Sequence, residues 1–529
     1  MINNILAVDI ETDSLDFTKG NIKLISLYNE KTKVVYENVD DIRNILEDKS
    51  VMKVFHNAKF DVSWLKYNGI EVNNYTDTMI MAKLLGYENV KLDYLVKTYF
   101  NKSLSKELQH SDNWKGEKIT DDHKKYCLDD AKYTFKLYNE LIKGIDKNNL
   151  KEILEIEINA LPAIVELTLN GIYLDMDEWK IEVKKLEEKA KDIELEFKSR
   201  LSKNTLNINS PKQIIEAFRE NGIPIKSTAD EVLAQFEYLY DEVRLLRKYR
   251  KISKNINTYG YKIQEYLDCN GVIRPSWNQI GAKTGRMSCS KPALQGVPSI
   301  MRKYFKARDG YTFVIADYSQ VELRILAEVS KDRTLINAYK NDLDLHSITA
   351  SKVINKPIEM ITESERKIGK TLNFGIAYGI TENGLRNQMY KSLGTDLTEE
   401  EAKKYRINFF ESYKGVYIIQ DILLRAKNIR SLGGRQWSSD LKSNQKLNYS
   451  IQGTGADILK TALSYLMESK DDDWKLCAVV HDEILLEVPE KVSNKAKVVL
   501  KDSMEKAMNK FIKEVPCKID IKISNTWCK

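Results

Sequence analysis

Residues 312–324 read TFVIADYSQVELR. Phe313 to Ala316 are apolar and partly β-branched, and a turn-prone Asp-Tyr-Ser follows, the pattern of a buried strand. Asp317 therefore sits at a strand exit, where a sheet can hold a carboxylate at a fixed point. A second run, CAVVHDEILLEV at 477–488, sets His481, Asp482 and Glu483 between two apolar halves. That is the pattern of a hairpin whose tight turn presents carboxylates. With the two strands as neighbours, Asp317 and Asp482 face one another. Carboxylates gathered away from Lys and Arg repel unless a divalent cation lies between them. Mg²⁺ favours carboxylate and phosphate oxygens, and a pair of such ions can clamp both the attacking and the leaving oxygen in phosphoryl transfer.

A chain of 529 residues exceeds one core, so three or more domains are expected. Its apolar and charged fractions, 42% and 30%, are those of a soluble globular protein. No run approaches the roughly 18 apolar residues of a membrane span. The opening MINNILAVDIET has no basic region before its apolar run and carries acids within it, so it is a strand and not a signal peptide. The six cysteines (127, 269, 289, 477, 517, 528) form no CxxC pair, which points to a reducing compartment and away from a zinc site. The net charge of +6 lends only weak support to a nucleic-acid partner; local clusters matter more.

Residues 2–10, 22–28, 33–39 and 51–56 have strand patterns, followed by helices near 58–67, 77–86, 91–100 and 123–143, an α/β unit of the first 148 residues. On the first strand Asp9 and Glu11 are two apart and share a face. HNAKFD at 56–61 spaces Asn57 and Asp61 by four at a helix start, and YCLDDAKYTF spaces Tyr126 and Asp130 likewise on another helix. Each pair alone is weak, but the ordered set inside one unit is specific. This unit resembles the DnaQ-like 3′–5′ exonucleases of the ribonuclease H-like fold. The resemblance implies that Asp9, Glu11, Asp61 and Asp130 hold two divalent metals, with Tyr126 orienting the attacking water. Asp129 is a spare carboxylate without an assigned role.

Farther on, NSPKQIIEAF has the marks of a capped helix, with Ser210 at the N-cap and Pro211 at the first helical position. In VRLLRKYRKISKNI (243–256), Leu245, Tyr249, Ile252 and Ile256 form an apolar stripe beside a basic face of Arg244, Arg247, Lys248 and Lys251. Such a helix can lay its charges along a phosphate backbone, or simply solvate them. GAKTGRMSCSKPALQGVP (281–298) is loop and turn, with Arg286 between small residues. In ESERKIGKTLNFGIAYG (363–379), Arg366, Lys370, Phe374 and Tyr378 recur every four residues. Two cations and two rings on one stripe suit a triphosphate, a sugar and a base; they would equally suit surface cations leading into core aromatics. Gly369 and Gly375 cost helix stability there, so close approach or bending is expected. LGGRQW (432–437) is a turn with an exposed Arg435, and KLNYSIQGTGADILK (446–460) puts Asn448 and Gln452 on one helical face.

The ordered set TGRMSCSKPALQ, DYSQVELR, RKIGKTLNFGIAYG, QGTGADILK and VVHDE closely resembles family A DNA polymerases. The two resemblances together span nearly the whole chain. They imply a multidomain α/β and α+β protein: a ribonuclease H-like exonuclease domain (1–148) followed by a right-hand polymerase (149–529). The thumb would be about 180–255, the palm about 256–324 and 431–529, and the fingers about 325–430. The implied function is template-directed addition of dNTPs to a primer 3′ end, with 3′–5′ proofreading, in DNA replication or repair. Asp317 and Asp482 would bind two Mg²⁺ (or Mn²⁺ as a substitute), with Glu483 beside them. Arg366 and Lys370 would meet the triphosphate, Lys370 as general acid for pyrophosphate departure. His346 would approach the β-phosphate, Phe374 the deoxyribose and Tyr378 the template base. Glu322, beside Gln320 at the nucleotide, would be a steric gate against a 2′-hydroxyl. Arg286, Asn448, Gln452, His481 and Arg435 would contact DNA near the primer end.

Partners would be primer–template DNA, dNTPs and a single-stranded 3′ end at the exonuclease site. The protein would be a cytoplasmic monomer of a bacterial cell or its phage, without a membrane partner. Relative to the family, the chain is expected to lack the 5′ nuclease domain ahead of the exonuclease and a thioredoxin-docking insertion within 200–255. Phe374 predicts discrimination against dideoxynucleotides, and the short 380–450 stretch predicts fewer fingers contacts. The alternative reading is a 3′–5′ exonuclease whose C-terminal region serves only as a nucleic-acid-binding platform.

Overall fold

Strands β1 (Ile5–Thr12), β2 (Ile22–Tyr28), β3 (Lys33–Tyr36), β4 (Met52–Phe55) and β5 (Tyr75–Asp77) form a sheet in the order β3-β2-β1-β4-β5. This computed structural model describes residues 4–528 except Gln109, Glu117, Ser439 and the side chain of Lys391; residues 2 and 3 of the expected first strand lie outside it. Helix α1 (Ala58–Tyr67) follows β4, and α2 (Asp121–Lys147) packs against β1 and β2. Thr120 starts α2 with a capping box closed by His123. β5 has only three residues, too few to show a period, and was not foreseen.

Helix α3 (Lys151–Asn170) joins the two halves of the molecule. Ile153, Ile156, Leu161 and Val165 belong to the core of the N-terminal sheet, while Ala163, Ile164 and Leu167 belong to the large core of the C-terminal half. One helix thus buries opposite sides in two cores, which fixes the N-terminal sheet against the rest of the chain. Helix α4 (Met176–Arg200) and α5 (Asp241–Tyr259) then pair around a small separate core that includes Phe197, Phe218 and Leu246. The expected free basic face of α5 needs correction. Arg247 is bound by Glu237 and by Asp230 at 2.8 Å, and Arg244 by Asp241 at 2.5 Å. Lys248 and Lys251 have no ion pair among the described residues. The acids that neutralise the arginines lie outside the 243–256 window.

The second large sheet is antiparallel throughout. β6 (Tyr311–Tyr318), β7 (Lys475–Val480), β8 (Glu483–Pro489) and β9 (Ile519–Ser524) lie in the order β7-β8-β6-β9. The 313–316 run is wholly buried, as its composition requires. Between β6 and β7 the chain is mostly helical, apart from the short antiparallel pair Ile429–Arg430 and Gln436–Trp437. α6 (Leu345–Ile354) and α7 (Glu363–Ala377) pack on one another, and α8 (Ser443–Ser469) returns to lie on α3 and on α9 (Ser493–Phe511).

The close approach expected at Gly369 is present. A Cβ there would stand 2.0 Å from the His346 carbonyl oxygen, whereas at Gly375 the nearest atom would be a side-chain methyl of Ile380 at 3.2 Å. Gly369→Ala must therefore push α7 off α6 and should destabilise the fold by about 1–3 kcal/mol. Gly375→Ala should be near neutral, since the gain of about 1 kcal/mol in helix propensity offsets a yielding contact. Denaturant midpoints of the two variants check this; equal losses would contradict it.

Candidate functional site

Two groups of carboxylates stand on the central strands of the two sheets. In the first, β1 presents Asp9 and Glu11 on one face, α1 brings Asp61 in its first turn, and α2 brings Tyr126 and Asp130. The Ile10 amide donates to Asp61 at 3.2 Å. Burial raises the proton affinity of Asp9, and the charges of Glu11, Asp130 and Asp61 raise it further. Glu11 and Asp61 are raised chiefly by burial as well. Asp130 is pushed up to about 7 by burial and by Asp129, against a hydrogen bond with Tyr126. Burial, then the charges of Asp130, Glu11 and Asp9, hold the Tyr126 phenol protonated far above its ordinary range. Asp61, Tyr126 and Asp130 thus flank Asp9 and Glu11 closely enough for their charges to interact. Asp129 resolves as a surface group 3.6 Å from Lys132.

Two neighbours of this site escaped the sequence reading. Asp77 is buried and accepts from the amides of Asn57, Ala58 and Met79, fixing the turn into α1. The buried Cys127 thiol lies 3.9 Å from Asp9 Oδ2, and its ligand atom clusters with those of Asp9 and Glu11. Neither residue has a spacing signal that would single it out.

In the second group, Asp317 is the penultimate residue of β6 and Asp482 lies in the two-residue turn His481-Asp482 between β7 and β8. The register pairs Glu483 with Asp317 on one side and with Val480 on the other, so the turn is set directly beside the end of β6. His481 takes the left-handed conformation (φ 58°) that the tight turn requires. On the far side of β6, Asp520 of β9 is paired with Asp317, a further acid that its strand pattern hid. The expectation that the group stands clear of cations needs correction. Glu483 is buried, accepts from Trp527 Nε1 at 2.8 Å and lies 3.5 Å from Arg302 Nη1.

The remaining expected residues border this sheet or line α7. Arg286 is ion-paired to Glu322. Gln320, in the left-handed conformation at the start of helix Val321–Ser330, accepts from the Tyr339 hydroxyl at 3.1 Å. Arg366 is held by Asp344 through Nε at 2.6 Å and Nη2 at 3.2 Å, while Lys370 is exposed one turn along. His346 is buried, and its Nδ1 meets Asn373 Nδ2 at 3.0 Å. The amide nitrogen can only donate, so Nδ1 accepts and the ring proton sits on Nε2. Burial brings the His346 pKa down to about 4, with the charges of Arg366 and Lys370 adding to the fall and Asp344 opposing it. The imidazole is therefore neutral at neutral pH. Phe374 lies 6.1 Å from it, ring to ring, and Tyr378 caps α7. Tyr378 OH and Asn448 Oδ1 are buried with no hydrogen-bond partner among the described residues. Asn448 and Gln452 lie four apart on α8.

Arg435 is the clear miss. It is not exposed but 4% accessible, bound to Glu157 and, at 2.8 Å, to Asp457. Lys460 joins the group, donating to Glu157 at 2.6 Å and to the Gly285 carbonyl at 2.8 Å. The partners come from α3 and α8, 278 and 22 residues away, and no local window contains both. Arg435 thus braces the loop that carries Arg286, packing where a Cβ on Gly285 would lie.

Comparison with known proteins shows the family of the chain. Residues 176–529 match DNA polymerase family A, and residues 2–146 match a 3′–5′ exonuclease family. DNA polymerase I of Aquifex aeolicus is 32% identical over 99% of this chain and 96% of its own length. That of Borreliella burgdorferi is also 32% identical over 99% of this chain, which spans only 62% of that relative. The solved POL domain of Pol1 from M. smegmatis, in complex with DNA primer-template and dNTP, shares the fold with a TM-score of 0.87 at 23% identity, covering 99% of this chain and 96% of that one. The chain therefore belongs to DNA polymerase family A, as a DNA-directed DNA polymerase that carries a 3′–5′ exonuclease domain.

Proposed function

We propose that the chain extends primer 3′ ends at Asp317 and Asp482 and trims mismatched 3′ ends at Asp9, Glu11, Asp61 and Asp130. The observation that carries this reading is the ladder pairing of Asp317 with the residue immediately after the 481–482 turn, which brings two sequence-distant carboxylates to one edge of the sheet. The M. smegmatis relative was solved with DNA primer-template and dNTP, which supports the same partners here.

Family A polymerases and DnaQ-like exonucleases generally use divalent metals, and the residues fit such ions. Crowded carboxylates whose proton affinity is raised by burial and mutual repulsion are the donor set of a hard cation. Asp9, Glu11, Asp61 and Asp130 would hold two Mg²⁺, or Mn²⁺ in their place, and Asp317 and Asp482 two more. When bound, such ions would acidify the attacking hydroxyl or water and neutralise the departing oxygen.

The protein's own groups supply the rest. Asp344 holds the Arg366 guanidinium by Nε and Nη2, and the exposed Glu363 lies 3.8 Å from Nη1, the atom that a phosphate would take over from it. The exposed Lys370 ammonium is placed to protonate the departing pyrophosphate. Neutral His346 donates from Nε2 to a phosphate oxygen. The Arg286–Glu322 pair closes the sugar's flank and excludes a 2′-hydroxyl, and Phe374 lies along the deoxyribose. Asn448 and Gln452 offer uncharged contacts to the primer end. At the exonuclease site the protonated Tyr126 orients water toward the scissile phosphate.

Two measurements test this. In the first, a labelled primer on a DNA template is incubated with Mg²⁺, with and without dNTPs. Asp317→Ala should abolish extension and leave shortening intact; Asp9→Ala should do the reverse. Shortening without any extension by the parent protein would favour an exonuclease with a binding platform.

The second uses pH. Unfolded carboxylates ionise near pH 4, whereas metal-free folded Asp130 keeps its proton to about 7. A raised folded value contributes stability at low pH that is lost as pH climbs through that value. In EDTA, the melting temperature should fall between pH 4 and 7, and fall less in Asp130→Asn. Mg²⁺ should restore the loss in the parent protein. Identical pH profiles for parent and variant would contradict the assignment.

A further inference from the structure

Beside the palm carboxylates lies a buried group that the proposed chemistry does not use. Arg302, 7% exposed at the end of a short helix (Ser299–Arg302), stacks on the Trp527 ring with 4.5 Å between guanidinium carbon and centroid. Trp527 is fully buried, and its backbone amide donates to the Phe305 carbonyl at 2.9 Å. Its indole N–H and Arg302 Nη1 converge on the same oxygen of Glu483, at 2.8 and 3.5 Å. Glu483 and Asp317 are direct cross-strand partners, so their side chains share a face of the sheet. Arg302 is near enough to Asp317 for their charges to interact as well.

A buried cation beside a carboxylate that must hold metal is a competitor for that carboxylate. Neutralising one partner of a buried ion pair leaves the other charge uncompensated, and Asp317 is the other carboxylate whose charge reaches Arg302. We propose that Arg302, Glu483 and Trp527 form a positioning unit for polymerisation, in which Glu483 is the counter-charge that keeps Arg302 from closing on Asp317. Trp527 locks the Glu483 carboxylate in that role, and its ring holds the guanidinium in plane. Glu483 is then a positioning residue, while Asp317 and Asp482 remain the groups that meet the ion. This inference rests on the reading of Asp317 and Asp482 as metal-holding residues.

The test is Mn²⁺ binding, followed by the electron paramagnetic resonance of free Mn²⁺. The protein carries Asp61→Asn to remove trimming, and is saturated with dideoxy-terminated primer–template and dNTP. Glu483→Gln should weaken Mn²⁺ binding about tenfold, and Trp527→Phe, which keeps the ring but loses the N–H, about threefold. Adding Arg302→Met to Glu483→Gln should bring binding back to within about threefold of the parent, because the competing cation is gone. Circular dichroism and the half-saturating Mg²⁺ for extension, measured on the same proteins, separate this from unfolding. Parent-like binding in Glu483→Gln, or no recovery in the double variant, would overturn the proposal. If Glu483→Gln does not fold, parent-like binding in Trp527→Phe would overturn it alone. Failure of Asp317→Ala to weaken Mn²⁺ binding would instead count against the underlying assignment of the site.

Discussion

Like charges do not stay together unless something stiffer than their repulsion holds them. Here that constraint is strand register. β1 and β6 each lie inside a sheet, with hydrogen-bonded neighbours on both sides. Most of their apolar residues are buried. A strand so held cannot slip by one residue without breaking its pairing on both sides and repacking its buried side chains. Asp9, Glu11 and Asp317 are therefore fixed as firmly as the cores beneath them. The groups that complete each site arrive on elements locked to the same strands: α1 through the Ile10 amide on Asp61, and the 481–482 turn through the Glu483 pairing.

The same stiffness links the two sites. α3 contributes buried residues to both large cores. Glu157, on that helix, anchors Arg435 and Lys460 from the other side of the molecule. Gln279 adds a 2.6 Å bond to the Glu157 carboxylate. Two acids and two cations, Glu157, Asp457, Arg435 and Lys460, satisfy one another there. Breaking any one would leave a buried charge without a partner. The loop of Arg286 rests on this group, through Lys460 on the Gly285 carbonyl and through Arg435 packed against Gly285.

Much of this was legible in the sequence, for identifiable reasons. Alternation put Asp9 and Glu11 on one face of β1, and an unbroken apolar run followed by a turn located β6. The polar break in 477–488 located the hairpin, and four-residue spacing gathered Tyr126 with Asp130 and Arg366 with Lys370. These signals are local. The features that stayed hidden depend on long-range contact. Arg435 has the composition of a turn arginine, and only the distant Glu157 and Asp457 draw it inside. Arg247 appeared free because Asp230 and Glu237 precede its helix. Arg302 and Trp527 come together across more than two hundred residues of chain, and Asp344 has the pattern of a helix cap although it also holds Arg366. Composition gave no warning in any of these cases, because each is a contact between distant side chains and not a pattern along one element.

The two separate carboxylate groups, one on each sheet, are proposed to hold the catalytic ions. The most direct test of this assignment replaces Mg²⁺ with Fe²⁺ and lets ascorbate and peroxide generate radicals that cut the backbone beside bound iron. Cuts are expected in two clusters, near 9–11, 61 and 130, and near 317 and 482. Asp317→Ala should remove the second cluster alone, and Asp61→Asn should weaken the first alone. Cuts confined to one cluster, or lost together on a single substitution, would contradict it.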